Sequence, residues 1–154
     1  MQSSSGIATA AVLAVIDGEI DEHESYCQEL YLRLGRRRAN DLLSEEIVDA
    51  MLMCMRGNRK KVSVLYQCLV ALVGQNSADR LMINAYVSEA RSDFDQIHRQ
   101  RLFKSLCRYV RPPLVVSAFA GLSIEIPCRI AMAVRSQEER ANEHARRMVN
   151  AVAG

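Results

Sequence analysis

The stretch Ala14-Val15-Ile16-Asp17-Gly18-Glu19-Ile20-Asp21-Glu22-His23-Glu24, residues 14–24, decides how this chain is read. It joins an apolar run over residues 6–16 to a dense set of carboxylates. The apolar run reads as a helix, followed by a tight turn that contains Gly18. The residues beyond open a second helix. Asp21 is placed as its N-cap, and Glu24, three residues on, completes a capping box.

The same punctuation recurs in both directions. The first helix covers Ser4 to Ile16 and is apolar nearly all round, which predicts burial on most sides. The second carries Tyr26, Cys27, Leu30, Tyr31 and Leu34 at helical spacing and stops at Gly35. Residues 36–41, RRRAND, read as a connector. Ser44 caps a third helix with Glu45 and Glu46 in its first turn, an apolar face of Ile47, Val48, Met51, Leu52 and Met55, and a stop at Gly57. A fourth helix runs from Lys60 to Val73 and ends at Gly74, and a fifth runs from Ser77 to Arg91. Ser92 caps a sixth, whose stripe is Phe94, Ile97, Leu102, Leu106 and Val110, and Pro112-Pro113 ends it. Helices over 114–120 and 124–134 follow, and a Ser136/Glu139 capping box opens the last, which reaches Val152. No segment alternates with the two-residue period of a strand. The expectation is an all-α fold: one compact bundle of eight or nine short helices, with residues 1–154 forming a single helical domain.

Hydrophobic residues make up 49% of the 154 and charged residues 25%, which is globular composition and excludes a disordered chain. A formal net charge of +2 is too small to imply nucleic acid by itself. The five cysteines, Cys27, Cys54, Cys68, Cys107 and Cys128, are odd in number, form no C-x-x-C pair and sit in apolar surroundings. They read as buried reduced thiols of a cytoplasmic protein. The apolar run at residues 6–16 lacks a basic segment before it, which argues against a signal peptide, and is too short to span a bilayer.

Residues 14–35 also echo residues 71–92, at an offset of 57: an apolar helix, a turn containing glycine, and a helix opened by polar residues. A weaker echo begins at Ala133.

On the motif Ala14 to Glu24, the chain resembles the tellurite-resistance TerB-like family, whose pattern is an apolar helix, Asp-Gly, a further acid and a final Glu. That family carries the pattern twice in one all-helical domain of about this length. Here the second copy has Gly74-Gln75 in place of Asp-Gly and Ala78 in place of the later acid, so the resemblance rests on the first copy. It implies a helical accessory domain associated with stress responses, membrane-surface complexes and metal binding.

The acids are weighed three ways. A self-sufficient EF-hand is excluded: with Gly18 at loop position 6, positions 1 and 3 fall on Leu13 and Val15, which have no oxygen ligand. A weak site for calcium or magnesium formed by Asp17, Glu19, Asp21 and Glu24 is retained as a candidate. The bland alternative is a cap by Asp21 and Glu24 beside solvated turn residues, and contact with a partner protein is the third. For catalysis there is no support: His23, His98 and His144 are placed on helix surfaces, and no nucleophile, phosphate-loop or zinc motif accompanies them. The chain is therefore expected not to be an enzyme. Met51, Met53 and Met55 are read as core filling before partner surface.

Basic residues cluster at Arg36, Arg37 and Arg38 and at Arg59, Lys60 and Lys61, and Arg99, Arg101, Lys104, Arg108 and Arg111 line one helix. No aromatic residues interleave with them to stack bases. The two short clusters are the candidate partner-binding residues. The functional expectation is a non-enzymatic adaptor or accessory subunit that makes protein–protein contacts in a larger assembly of a membrane-associated, secretion or stress-response kind. It would be cytoplasmic, with peripheral contact at the inner face of a membrane complex. The rival is a basic helical module that binds nucleic acid.

Overall fold

The computed structural model describes residues 2–153 of the chain. Among them the fold is all-α, 85% helical with no strand. Eight helices are present: α1 (Ser4–Ile16), α2 (Ile20–Leu34), α3 (Arg36–Arg56), α4 (Val62–Val73), α5 (Gln75–Ser92), α6 (Gln96–Tyr109), α7 (Pro112–Ala118) and α8 (Cys128–Ala153). A single 3₁₀ turn, Arg59–Lys61, leads into α4. The chain divides into two compact units, Met1–Ser92 and Asp93–Gly154.

The first unit is built around α1, which packs on α2, α3 and α4. Its apolar character on all sides is what that position requires. Ile7, Ala8 and Ala11 of α1, Cys27 and Leu30 of α2, and Ala39 and Leu43 of α3 form one buried cluster. The small residues on α1 let its neighbours approach closely. Ser3 caps α1, its Oγ accepting from Gly6 N–H at 3.1 Å.

The Asp-Gly turn is a Schellman motif. Gly18 has φ 77° and donates its N–H to Val15 O at 3.2 Å, while Glu19 N–H reaches Ala14 O at 2.8 Å. The N-cap of α2 is then Glu19 and not Asp21: the helix begins at Ile20, no side chain caps it, and Asp21 and Glu22 lie in its first turn. Acids there still oppose the positive end of the helix dipole.

Two helix–glycine–helix hairpins complete the unit. Gly35 between α2 and α3 has φ 79° and ψ 162°, and Gly74 between α4 and α5 has φ 85° and ψ 163°. The junction between α1 and α2 spans three residues instead. A second helix–glycine–helix echo relates residues 30–51 to residues 69–90, at an offset of 74 − 35 = 39. Leu30 matches Leu69, Ala39 matches Ala78, Leu43 matches Met82 and Ile47 matches Tyr86, and all eight are fully buried.

Several expected boundaries move. RRRAND is not a connector, because α3 starts at Arg36 directly after Gly35. Ser44 is buried inside α3 and caps nothing; its Oγ donates to Asn40 O at 2.6 Å, which satisfies the hydroxyl without breaking the helix. Ser77 likewise lies inside α5, which begins at Gln75.

In the second unit the cap of α6 is Asp95, which accepts from Ile97 N–H at 2.9 Å, and not Ser92, which is the last residue of α5. Phe94 and Ile97 leave the expected apolar stripe, at 89% and 65% exposed, whereas Leu102, Leu106 and Val110 are buried. Pro112 stands at the first position of α7, where its missing N–H is no loss. Phe103 of α6 and Phe119 meet edge to face, centroids 5.4 Å apart at 78°. The Gln100 side chain holds Glu125 by both backbone groups, donating to its O at 2.6 Å and accepting from its N–H at 3.1 Å. The two helices expected on either side of Ser136 are one, since α8 runs unbroken through it.

Candidate functional site: a histidine between two thiols

On α2, His23, Cys27 and Tyr31 follow one another at four-residue intervals and so share a face. Cys27 and Leu30 place that face in the core. His23 Nδ1 lies 2.8 Å from the backbone oxygen of Ala11 on α1. A carbonyl oxygen only accepts, so Nδ1 carries the hydrogen of this bond. Two sulfurs lie beside the ring: Cys27 Sγ, 3.5 Å from Nε2 and 3.9 Å from Nδ1 and so against the imidazole, and Cys68 Sγ, from α4, 3.8 Å from Nε2. Three helices of the first unit thus build one histidine–dithiol constellation.

Burial governs the electrostatics here. The Cys27 thiol is pushed up to about 11, first by loss of water and then by the neighbouring Cys68 and Glu24 charges. Burial also raises Cys68. These are protonated thiols at neutral pH, not the low-pKa nucleophiles of cysteine catalysis. Cys27 is buried, Cys54, Cys68 and Cys107 are half-buried, and Cys128 is exposed, so the expectation of five buried thiols holds for one of them.

His23 and His98 correct the placement of all three histidines on the surface. His23 is half-buried and hydrogen-bonded, His98 is buried on α6, and only His144 is exposed. The methionines also divide: Met51 and Met55 are core, and Met53 is 76% exposed.

The acids expected to hold calcium or magnesium lie elsewhere. Asp17, Glu19, Asp21 and Glu24 are all exposed. No three of their oxygens fall within 4.8 Å of one another, so the turn does not gather them around one point. Glu19 is raised by a side-chain hydrogen bond with Glu22 and by the Glu22 and Asp17 charges beside it.

Nor are the two basic clusters one surface. Arg36, Arg37 and Arg38 open α3, whereas Arg59, Lys60 and Lys61 follow its far end. The intervening helix separates them by about 30 Å. Arg36 stacks over the Tyr31 ring at 5.6 Å.

Between those ends α3 is acidic. Asp41, Glu45 and Asp49, four residues apart, line an open groove of about 750 Å³ floored by Val48, Val73 and Leu81, with Arg80 of α5 opposite. On its other side, Asp49 and Glu46 border a groove of about 340 Å³ against α1, lined by Leu13 and Met53 among others. Val48 of that floor comes from α3 itself, Val73 from α4 and Leu81 from α5. Among the described residues no helix is long and apolar enough to cross a membrane. No protein-family model, curated protein or solved structure matches the chain.

Proposed function

We propose that the chain is a non-enzymatic helical adaptor whose first unit receives a basic amphipathic helix of a partner protein in the groove between α3 and α5. The observation that carries this reading is the combination of three carboxylates in line, Asp41, Glu45 and Asp49, with an apolar floor of Val48, Val73 and Leu81. An amphipathic helix with apolar anchors and flanking Lys or Arg complements both features. The resemblance of residues 14–24 to TerB-like domains supports an accessory role in a larger assembly, at the inner face of a membrane complex. The rival, nucleic-acid binding, draws less support. The basic clusters sit about 30 Å apart at opposite ends of α3, and the groove between them is lined by acids, which repel phosphate.

The test uses the full chain, a basic amphipathic helical peptide, an acidic peptide of the same apolar pattern, and mixed DNA and RNA oligonucleotides. The basic peptide should bind, and Asp41→Lys with Glu45→Lys and Asp49→Lys should weaken it at least tenfold. Salt-sensitive oligonucleotide binding, lost on reversal of Arg36, Arg37 and Arg38 to Glu and without peptide binding, would establish the rival instead.

A further inference from the structure

We propose that, when no other partner is present, the groove between α3 and α5 takes the C-terminal half of α8 from a second copy of this chain, an inference that rests on the groove reading above.

The helix α8 changes character along its length. Residues 130–137 are partly covered, and α7 packs on the helix. Beyond Gln137 it is bare to solvent. The bare part is not uniformly polar. Ala145, Met148, Val149 and Val152 stand at i, i+3, i+4 and i+7 and so form one apolar stripe, continued a turn earlier by Ala141. Met148, Val149 and Val152 are 56%, 66% and 87% exposed. That spacing is the set of anchors by which a helix lies in a groove.

Charge and length point to the same seat. From His144 onward the chain carries two arginines, Arg146 and Arg147, and no acid. The groove sets three carboxylates, Asp41, Glu45 and Asp49, against the single arginine Arg80. Its acid row advances eight residues along α3, about 12 Å, and Ala145 to Val152 advances seven, about 10.5 Å. The stripe therefore matches the length of the groove, over the floor of Val48, Val73 and Leu81. When each copy gives one helix and takes one, the exchange closes a two-fold dimer in which the same contact is made twice. A lipid surface suits the stripe less well. Helices that lie in a membrane interface bury Trp, Phe or Leu there, and α8 has none of the three.

The experiment follows the full chain by sedimentation velocity over a wide range of concentration. Monomer should pass to dimer as concentration rises, and added salt should weaken the dimer. Met148→Glu with Val149→Glu should weaken it at least tenfold; both side chains are exposed, so the core is untouched. Asp41→Lys with Glu45→Lys and Asp49→Lys should weaken it as much, and so should Arg146→Glu with Arg147→Glu. An equal mixture of these last two variants should dimerise again, because each helix then meets a groove of opposite charge. The basic amphipathic peptide that tests the groove should compete with α8 and return the wild type to monomer. A chain that binds the peptide but stays monomeric at every concentration would overturn this inference and leave the groove reading in place. A dimer that survives reversal of the three acids, as pairing of α8 with α8 would, also overturns it. A chain that neither dimerises nor binds the peptide would overturn both.

Discussion

Ala39 and Ala78 occupy the same position in two successive helix hairpins. Each donates its N–H to the carbonyl of the glycine four residues before it, Ala39 to Gly35 at 3.1 Å and Ala78 to Gly74 at 3.0 Å. Each glycine in turn donates back to the preceding helix, Gly35 to Tyr31 O at 2.9 Å and Gly74 to Val70 O at 2.8 Å. One helix therefore hands over to the next through a single residue.

That residue has to be glycine. With φ near +80° and ψ near +160°, Gly35 and Gly74 lie where an L side chain is strained, although a Cβ at either would meet nothing within 4 Å. The cost of Gly35→Ala or Gly74→Ala is thus backbone alone, about 1–3 kcal/mol each. Urea unfolding measures it, and an unchanged midpoint would show that the junction relaxes freely.

The caps separate two residues that look alike in sequence. Asp95→Ala removes an acceptor for two amides of α6, and should lose about 0.5–2 kcal/mol. Asp21 sits in the first turn of α2 without capping it, so Asp21→Ala should change stability by only about 0.3–1 kcal/mol, and that part should fade with added salt. Equal losses at low and high salt for the two variants would contradict this assignment.

In the second unit, Phe103→Ala deletes a fully buried ring together with its edge contact to Phe119, with an expected loss of about 3–5 kcal/mol. Calorimetry would register it as a lower melting temperature. A shift within error would mean that the α6–Phe119 contact does not support the unit.

Stability should also fall in alkali. The Cys27 thiol stands at about 11 in the folded chain, above its ordinary 9.0. Between those values the unfolded chain has already lost the proton that the folded chain keeps, so the unfolded state is favoured increasingly as pH rises. The contribution is complete below about pH 9 and is lost toward pH 11. Cys27→Ala should flatten the decline of the urea midpoint over that window, and an unaltered slope would exclude Cys27 as a source.

The fold was legible where one residue decides an ending. The apolar run closed by Asp17-Gly18 predicts α1 to the residue, and Gly35, Gly57 and Gly74 each stop a helix as expected. It was illegible where a polar residue lies inside a helix. Arg36–Arg38 are good helix formers that look like a loop only because they are charged. Ser44 and Ser136 resemble caps, and only the neighbouring turns show them to be interior. For the site, the four-residue spacing of His23 and Cys27 puts both on one face of α2, yet the charged neighbours of His23 read as a surface position. Cys68 joins them through the packing of α4, 45 residues away along the chain, and no local pattern announces that.

The last helix has a different consequence. From Glu138 to Val152 every residue of α8 is exposed, Met148 and Val149 included. The ion pair of Arg147 with Glu143, at 2.6 Å, lies on the surface and contributes little. A solitary helix of this length is marginal in water. Its amides should therefore exchange with deuterium far sooner than those of α1. Trypsin, offered Arg140, Arg146 and Arg147, should shorten the native chain stepwise from this end while the buried helices remain whole.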